Sequence, residues 1–305
     1  MGGADRRWYG VKLFYSSDYV AASESFDTTR KAKWIADSLV ADPTAGVELT
    51  APARLEFDEI AAVHDKAYVE AVRSGEVRDL AESSSFDWDP DYWRMVTSSN
   101  GGAVAAVRAA MEDGVSGSLS SGLHHARYDR GAMFCTFNGL VIAAKHALAN
   151  GAQSVLILDL DAHCGGGTHS LIGGDDRIRQ IDVSVNSVDF YRPTGKNTLD
   201  VVRKADEYLP TIRRRLTKRG WKPEVCIYNA GMDPEERCRV GGLPGITAGM
   251  LREREGIVFE WCLSREIPIA FVLAGGYVGG SLVKEDLVRL HRATIEVANQ
   301  AHHRR

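Results

Sequence analysis

The chain has 305 residues, of which 44% are hydrophobic, and its formal net charge is −4. This length and composition suit one large folded domain, and the absence of a basic block argues against a direct nucleic-acid or anionic-membrane binder. No stretch reaches the roughly 18 uninterrupted apolar residues that a membrane-spanning helix needs.

The N-terminal sequence and the cysteines indicate the compartment. The first residues, MGGADRRWYGVKLFYSS, lack the apolar core of a secretory signal. The five cysteines are an odd number and contain no CxxC pair. Such cysteines are typical of reduced thiols, so we expect a cytoplasmic protein.

Helices and strands alternate from about residue 101 onward. The predicted helices cover residues 101–114, 136–151, 205–220, 248–265 and 284–300. The predicted strands cover residues 115–121, 154–159, 178–185, 224–231 and 267–277. This alternation predicts an α/β fold in which a central, mostly parallel sheet is covered by helices on both faces, within a single domain spanning residues 1–305. The nearly continuous apolar strands, such as SVLILD, fit burial on both sides of the sheet.

Polar residues follow four of the predicted strands. They are, in chain order, His124 and His125, then Asp159, Asp161 and His163, then Asp233, and finally Tyr277. In open parallel sheets the carboxyl ends of the strands line the ligand crevice. We therefore expect these side chains to meet at one rim of the sheet.

Asp161, His163 and Asp233 have the composition of a metal site. Two carboxylates and one imidazole form a suitable three-ligand set for a catalytic Zn²⁺ with open positions. A single aspartate at a strand end is more often a loop residue held by backbone amides. The complete set on successive strand ends favours the metal.

The remaining residues suit proton transfer near such a metal. Of the pair His124 and His125, one imidazole could take a proton from water and the other could protonate a leaving group. Asp159 is placed to fix the tautomer of an imidazole. Tyr277, in a glycine-rich loop, could donate a hydrogen bond to a developing oxyanion.

Several of these segments resemble one known family. The segments SGLHHARYDRGAMFCTFNGL, LDLDAHCGGGT, NAGMDPEERCRVGGLPGIT and VLAGGY, together with VHDKAYVEAV at residues 63–72, are similar to motifs of the histone deacetylases and acetylpolyamine amidohydrolases. These are zinc hydrolases with the arginase-deacetylase fold. The resemblance spans about residues 60 to 280, and the first 55 residues match poorly.

The resemblance implies a role for each candidate residue. It implies one zinc ion on Asp161, His163 and Asp233, and a proton-handling pair of His124 and His125 with Asp159 behind His124. It implies that Tyr277 polarises the scissile carbonyl and that Phe134 lines the acyl channel. It also implies a potassium ion near the Asp159–His163 strand end, and an aspartate, Asp87 or Asp89, at the channel rim. The implied substrate is an acylated amine, either a small molecule or a protein side chain.

One departure from the family pattern concerns His125. The family reads His-Gly-Asp-Gly after the ligand histidine, whereas this chain reads Cys164-Gly165-Gly166-Gly167. Gly166 replaces the aspartate that normally backs the second histidine. We therefore expect His125 to lack a carboxylate partner, with the alternative that another carboxylate fills the gap. Met133, where the family often has glycine, predicts a different channel wall.

Two other functions stay open at this point. A binuclear manganese ureohydrolase on the same fold would need bridging carboxylates where this chain has Gly165, and Pro234 with Glu235. A non-catalytic acyl-amine-binding protein could also keep the fold. Metal content separates the three: one zinc, two manganese or none. The sequence does not indicate which acylated amine is the substrate, or the oligomeric state.

Overall fold

An eight-stranded sheet forms the centre of the protein. The computed structural model describes residues 10–22, 26–217 and 221–304. Within them the strands are β1 (Val11–Phe14), β2 (Val47–Thr50), β3 (Val115–Ser118), β4 (Val155–Asp159), β5 (Ile178–Ser184), β6 (Thr198–Val201), β7 (Val225–Asn229) and β8 (Ile269–Val272). They are hydrogen-bonded in the order β2-β1-β3-β8-β7-β4-β5-β6, and every pair is parallel.

Helices cover both faces of this sheet. They are α1 (Asp27–Ala41), α2 (Phe57–Ala61), α3 (Lys66–Ser74), α4 (Arg78–Ala81), α5 (Tyr92–Asp113), α6 (Gly139–Ala149), α7 (Gly166–Ile172), α8 (Ala205–Leu216), α9 (Ala248–Leu263) and α10 (Lys284–His302), with a short 3-10 turn at Ser17–Val20. The predicted α/β fold with a covered parallel sheet is confirmed.

The two faces of the sheet have separate hydrophobic cores. On β4, Leu156 and Leu158 pack into one core while Val155 and Ile157 pack into the other, and all four are fully buried. Successive side chains of a strand point to opposite faces, so a strand buried on both sides must be apolar throughout. This explains the continuous apolar run that ends at Asp159.

The helix predicted to begin at residue 101 begins earlier, at Tyr92. Its first three turns contain buried polar residues, which hide the helical pattern of apolar residues. Thr97 and Asn100 bond the carbonyl oxygens of Trp93 and Val96 within the same helix. These hydrogen bonds allow the polar side chains to be buried.

The other predicted elements differ from the structure mainly at their ends. The predicted strand 267–277 is shorter, because β8 ends at Val272 and the following residues form the loop that carries Tyr277. The predicted helix end at Gly220 lies outside the described residues. The sequence pattern does not predict strands β1, β2 and β6, or helices α1 to α4 and α7. Among the described residues, no helix combines the length and apolarity of a membrane span.

Candidate functional site

The candidate residues meet because their strands are neighbours. Strands β3, β8, β7 and β4 are consecutive in the sheet, so the loops after them lie side by side. One cavity at this edge is lined by His124, His125, Asp161 and Tyr277, together with Met133. The four predicted strand ends therefore converge on one site.

Asp161, His163 and Asp233 form a compact buried group. One ligand atom from each residue lies within 4.8 Å of the others. The Nδ1 atom of His163 lies 3.0 Å from Asp161 Oδ1 and 3.2 Å from Asp233 Oδ2. Backbone amides fix the carboxylates: Gly275 donates to Asp161 Oδ2 at 2.7 Å, and Ala162 donates to Asp233 Oδ1 at 3.0 Å. The group is thus held in place by the strand-end loops.

This group fits a divalent metal ion. Asp233 Oδ2 is buried and faces the imidazole of His163, whose Nδ1 lies 3.2 Å away. Burial, followed by the nearby charge of Asp161, raises the pKa of Asp233 to about 6. Two buried carboxylates need a compensating cation. The imidazole and carboxylate donors are those that Zn²⁺ takes in catalytic sites.

Position 275 accepts only glycine beside this group. A Cβ atom at Gly275 would lie 2.1 Å from Asp233 Oδ2 and 2.6 Å from Asp161 Oδ2. The absence of a side chain lets the backbone amide of Gly275 reach Asp161. Gly275, the first glycine of VLAGGY, therefore leaves room for the two carboxylates of the candidate metal site.

The contact expected between Asp159 and His124 is present. Asp159 Oδ2 lies 2.9 Å from His124 Nδ1, and Asn229 holds the other carboxylate oxygen of Asp159 at 2.8 Å. The Nε2 atom of His124 lies 3.7 Å from Asp161 Oδ1. Burial lowers the pKa of His124, but the carboxylates of Asp159 and Asp161 outweigh it and raise this pKa to about 10. In the metal-free state the imidazole of His124 is therefore protonated on both ring nitrogens and positively charged.

The expectation that His125 lacks a carboxylate partner is wrong. Asp189 Oδ2 lies 2.9 Å from His125 Nδ1. Asp189 is in the loop after β5, 64 residues from His125, and therefore fills the gap left at Gly166. Burial and the neighbouring charge of His124 nevertheless lower the pKa of His125 to about 4. The centroids of the His124 and His125 rings lie 3.9 Å apart.

Tyr277 is oriented by residues from the N-terminal part of the chain. Asp27 Oδ2 accepts a hydrogen bond from the backbone of Val278 at 2.6 Å. The buried Lys31 donates to the carbonyl oxygen of Ala274, and its Nζ lies 5.6 Å from the centroid of the Tyr277 ring. Burial, followed by the charges of the metal-site carboxylates, raises the pKa of Tyr277 well above its usual value. Its hydroxyl is therefore protonated at neutral pH and can donate a hydrogen bond.

Phe134, predicted to line the acyl channel, lies beside the candidate site. It lines a second cavity next to the site, whereas Met133 lines the site cavity itself. The ring of Phe26 stacks on Phe134 with 3.8 Å between the centroids, and it also lies 5.2 Å from the ring of Tyr277. An alkyl chain can lie against this face of Phe134 only if Phe26 moves.

Sequence reasoning missed Asp189, Asp27 and Lys31. Asp27 and Lys31 lie in the segment that resembles the family poorly, and Asp189 lies in a loop without periodicity. The sequence feature that could have indicated Asp189 is the missing carboxylate at Gly166. Because both histidines are retained, a carboxylate from another segment could be expected to support His125. Of the two candidate rim residues, Asp89 bonds the backbone of Asp91 at 2.7 Å.

Comparisons with known proteins agree with this geometry. The histone deacetylase domain matches residues 25–287, which include every candidate site residue. The chain is 26% identical to histone deacetylase 2 of Arabidopsis thaliana over 301 residues, covering 89% of this chain and 76% of that protein. It is 29% identical to a probable deacetylase of Methanothermobacter thermautotrophicus, covering 74% of this chain and 73% of that one.

Two further comparisons extend the match. An uncharacterized protein of Picosynechococcus sp. is 30% identical over 247 residues, covering 77% of this chain and 81% of that protein. The crystal structure of the HDA15 HD domain superposes with a TM-score of 0.77 at 17% identity, covering 96% of this chain and 90% of that one, which shows a shared fold. The domain match over most of the chain shows that this protein belongs to the histone deacetylase family and is a hydrolytic deacetylase.

Proposed function

We propose that this protein is a zinc-dependent amidohydrolase that removes an acetyl group from an acylated amine. The observation that carries the proposal is the arrangement of three elements at one edge of the sheet. These are the buried Asp161–His163–Asp233 group, the adjacent pair His124 and His125 with a carboxylate at the Nδ1 atom of each ring, and Tyr277. Together they supply metal ligands, a base, an acid and an oxyanion donor.

The side chains have distinct roles in this reaction. A zinc ion held by Asp161, His163 and Asp233 would supply Lewis-acid polarisation of the scissile carbonyl and of water. The neutral His125 can accept a proton from the attacking water through Nε2, because Nδ1 faces Asp189. His124, whose Nδ1 faces Asp159, can donate a proton from Nε2 to the leaving amine nitrogen. Tyr277 can donate a hydrogen bond to the carbonyl oxygen as negative charge develops there.

A second metal ion has no ligands at the places where a binuclear site would need them. Gly165 offers no side chain, and both carboxylate oxygens of Glu235 bond Arg237, at 2.7 Å to its side chain and 2.8 Å to its backbone. This favours one metal per chain over the binuclear manganese alternative. The complete set of proton-transfer residues favours catalysis over simple binding.

The substrate is proposed to be an amine on an alkyl chain, from a small molecule or a protein side chain. Asp87 is exposed and follows Phe86, whose ring lies 5.4 Å from Phe134. Asp89 accepts a hydrogen bond from the backbone amide of Asp91 at the start of α5. We therefore propose Asp87 as the rim carboxylate that contacts the substrate. We further propose a potassium ion near the Asp159–His163 strand end, from the family resemblance. The proposed cytoplasmic location is supported by five buried cysteines with no disulfide among them.

A substrate panel tests the proposed function. The zinc-loaded protein should be assayed with acetyllysine peptides, acetylpolyamines and small acetylated amides, and both acetate and free amine should be measured. We expect equal amounts of the two products from at least one class. A protein that binds one zinc per chain but releases acetate from none of these classes would contradict the proposal.

Metal binding is expected to release protons. Burial lowers the pKa of His163, but the carboxylates of Asp161 and Asp233 outweigh it and raise this pKa to about 10 in the metal-free protein. A ligating imidazole must be neutral, so binding near pH 7 should displace about one proton from the site. Zinc affinity should therefore rise with pH between 6 and 8, by up to about tenfold per unit.

Calorimetry measures this proton release directly. Zinc titrations in two buffers of different ionisation enthalpy give the number of protons from the difference in heat. Zinc affinity that does not change with pH, with no proton released, would show that His163 is already neutral without metal.

A further inference from the structure

The carboxylate behind His125 comes from an unexpected segment. Asp189 is almost fully buried, with 3% of its side chain exposed. Its Oδ2 atom lies 2.9 Å from His125 Nδ1 and accepts a hydrogen bond from the backbone amide of Gly167 at 3.1 Å. Its Oδ1 atom accepts a hydrogen bond from Arg127. Both carboxylate oxygens are therefore engaged, one of them by an imidazole of the candidate site.

Gly166 and Asp189 compete for the same space. A Cβ atom at Gly166 would lie 2.5 Å from the carbonyl oxygen of Asp189 and 2.6 Å from its Oδ1. Real Cβ atoms do not approach so closely, so a side chain at position 166 would displace Asp189. The backbone of Asp189 has a φ of +58°, a left-handed conformation that aspartate tolerates better than most residues. The glycine at position 166 thus makes room for the acid at position 189.

Arg127 holds this arrangement together. One guanidinium nitrogen bonds Asp189, and another donates to the carbonyl oxygen of Gly166 at 2.9 Å. The same side chain thus joins the loop that carries Asp189 to the first residue of α7. Arg127 also lies two residues after His125, so the ion pair fixes the loop relative to the imidazole.

We propose that Asp189 is the positioning residue for His125. By accepting a hydrogen bond from Nδ1–H, Asp189 fixes the ring orientation and the tautomer of His125 that leaves Nε2 free toward the site. Arg127 keeps the carboxylate in place. The catalytic consequence rests on the proposed deacetylase function, whereas the tautomer of His125 does not depend on it.

The tautomer is measured first, in the parent protein. Long-range ¹H–¹⁵N NMR of zinc-loaded protein labelled at histidine distinguishes an Nδ1–H ring from an Nε2–H ring, and a His125→Gln variant assigns the signal. We expect the Nδ1–H tautomer in the parent and its loss or mixing in Asp189→Gly. An Nε2–H tautomer of His125 in the parent would overturn the proposal without any further variant.

Turnover is then compared between two carboxylate variants. Asp189→Asn is expected to lower kcat by about 10–100-fold, the usual cost of removing a supporting acid, with little change in KM. Asp200→Asn is the matched control, because Asp200 also pairs with arginines, Arg214 and Arg215, and has no hydrogen bond or ion pair to a histidine in the part of the chain that the structure describes. Equal kcat values for Asp189→Asn and Asp200→Asn would contradict the proposal.

Rescue by a small carboxylate separates positioning from folding. Asp189→Gly leaves a space beside His125 and suits the left-handed backbone. Formate, but not chloride at the same concentration, should restore part of its kcat and the Nδ1–H signal. Formate that changes neither would show that the carboxylate has a structural role only. If the parent itself hydrolyses no substrate, the proposed function fails, while the NMR result still decides the role of Asp189.

A methyl group at position 166 should also break the contact between Asp189 and His125, because it would push Asp189 away. Gly166→Ala is expected to displace Asp189, lowering both kcat and the melting temperature. Gly174→Ala is the control, because a Cβ atom there meets nothing within 4 Å. Kinetic assays and thermal unfolding of the two variants measure the difference. A Gly166→Ala variant as active and as stable as Gly174→Ala would contradict the steric exclusion.

Discussion

Replacing Asp161 with alanine is expected to abolish both metal binding and deacetylation. The variant keeps only His163 and Asp233 of the proposed ligand set. A Lewis acid supplies several kcal/mol of transition-state stabilisation, so its loss should cost at least about 10³-fold in kcat/KM. Elemental analysis of the parent should give one zinc per chain, and the variant should hold almost none.

The loss of activity must be distinguished from a loss of stability. Asp161 also accepts hydrogen bonds from the backbone amides of Gly275 and His163, and burial of its carboxylate is outweighed by the charge of His124 and by His163, which hold its pKa well below the usual value. We therefore expect a lower melting temperature for metal-free Asp161→Ala than for the parent, so metal content and activity are compared at a temperature where circular dichroism shows both proteins to be folded. Asp175→Ala, which removes a carboxylate paired with Lys145 and Arg177, is the control and should keep both metal and activity. Two metals per parent chain, or full metal retention in Asp161→Ala, would contradict the proposed site.

The site residues on the strand ends could be predicted because each follows an apolar strand directly. In a parallel sheet the ends of these strands share one edge, so sequence order is enough to bring Asp161, His163 and Asp233 together. The structure adds that β3, β8, β7 and β4 are adjacent, which makes the convergence compact. Local sequence therefore carried most of the information about the candidate metal ligands.

The supporting residues could not be predicted because they act across long sequence separations. Asp27 reaches the Tyr277 loop from 251 positions away, and Asp189 reaches His125 from 64 positions away. Asp27 follows no strand, Asp189 lies five residues beyond the end of β5, and neither belongs to a periodic pattern. Their roles depend on how separate loops pack, which the strand-end rule does not address.

Short edge strands were missed for a related reason. Strands β2 and β6 have four residues each and lie at the two edges of the sheet, where their side chains are partly exposed. Edge strands do not need the continuous apolar sequence of buried ones. VELT and TLDV therefore resemble loops as much as strands, whereas the central strand VLILD is recognisable from its sequence alone.

Tyr277→Phe is expected to leave the fold and the metal intact while lowering kcat by about 10²–10³-fold, the usual cost of one oxyanion donor. The substitution removes only the hydroxyl, so the ring can still contact Phe26 and Lys31. The raised pKa of Tyr277 keeps this hydroxyl protonated throughout the neutral range, so the loss should be similar at pH 6 and pH 8.

Steady-state kinetics and zinc analysis of Tyr277→Phe test the expected result, with Tyr15→Phe as a control on a partly buried tyrosine outside the site. Because the hydroxyl acts on charge that develops during the reaction, kcat should fall much more than KM rises. A metal ion held by Asp161, His163 and Asp233 would polarise the same carbonyl oxygen and mask part of the loss, so both variants should be assayed with the same metal. A Tyr277→Phe enzyme within about threefold of the parent in kcat, at full zinc occupancy, would remove Tyr277 from the mechanism.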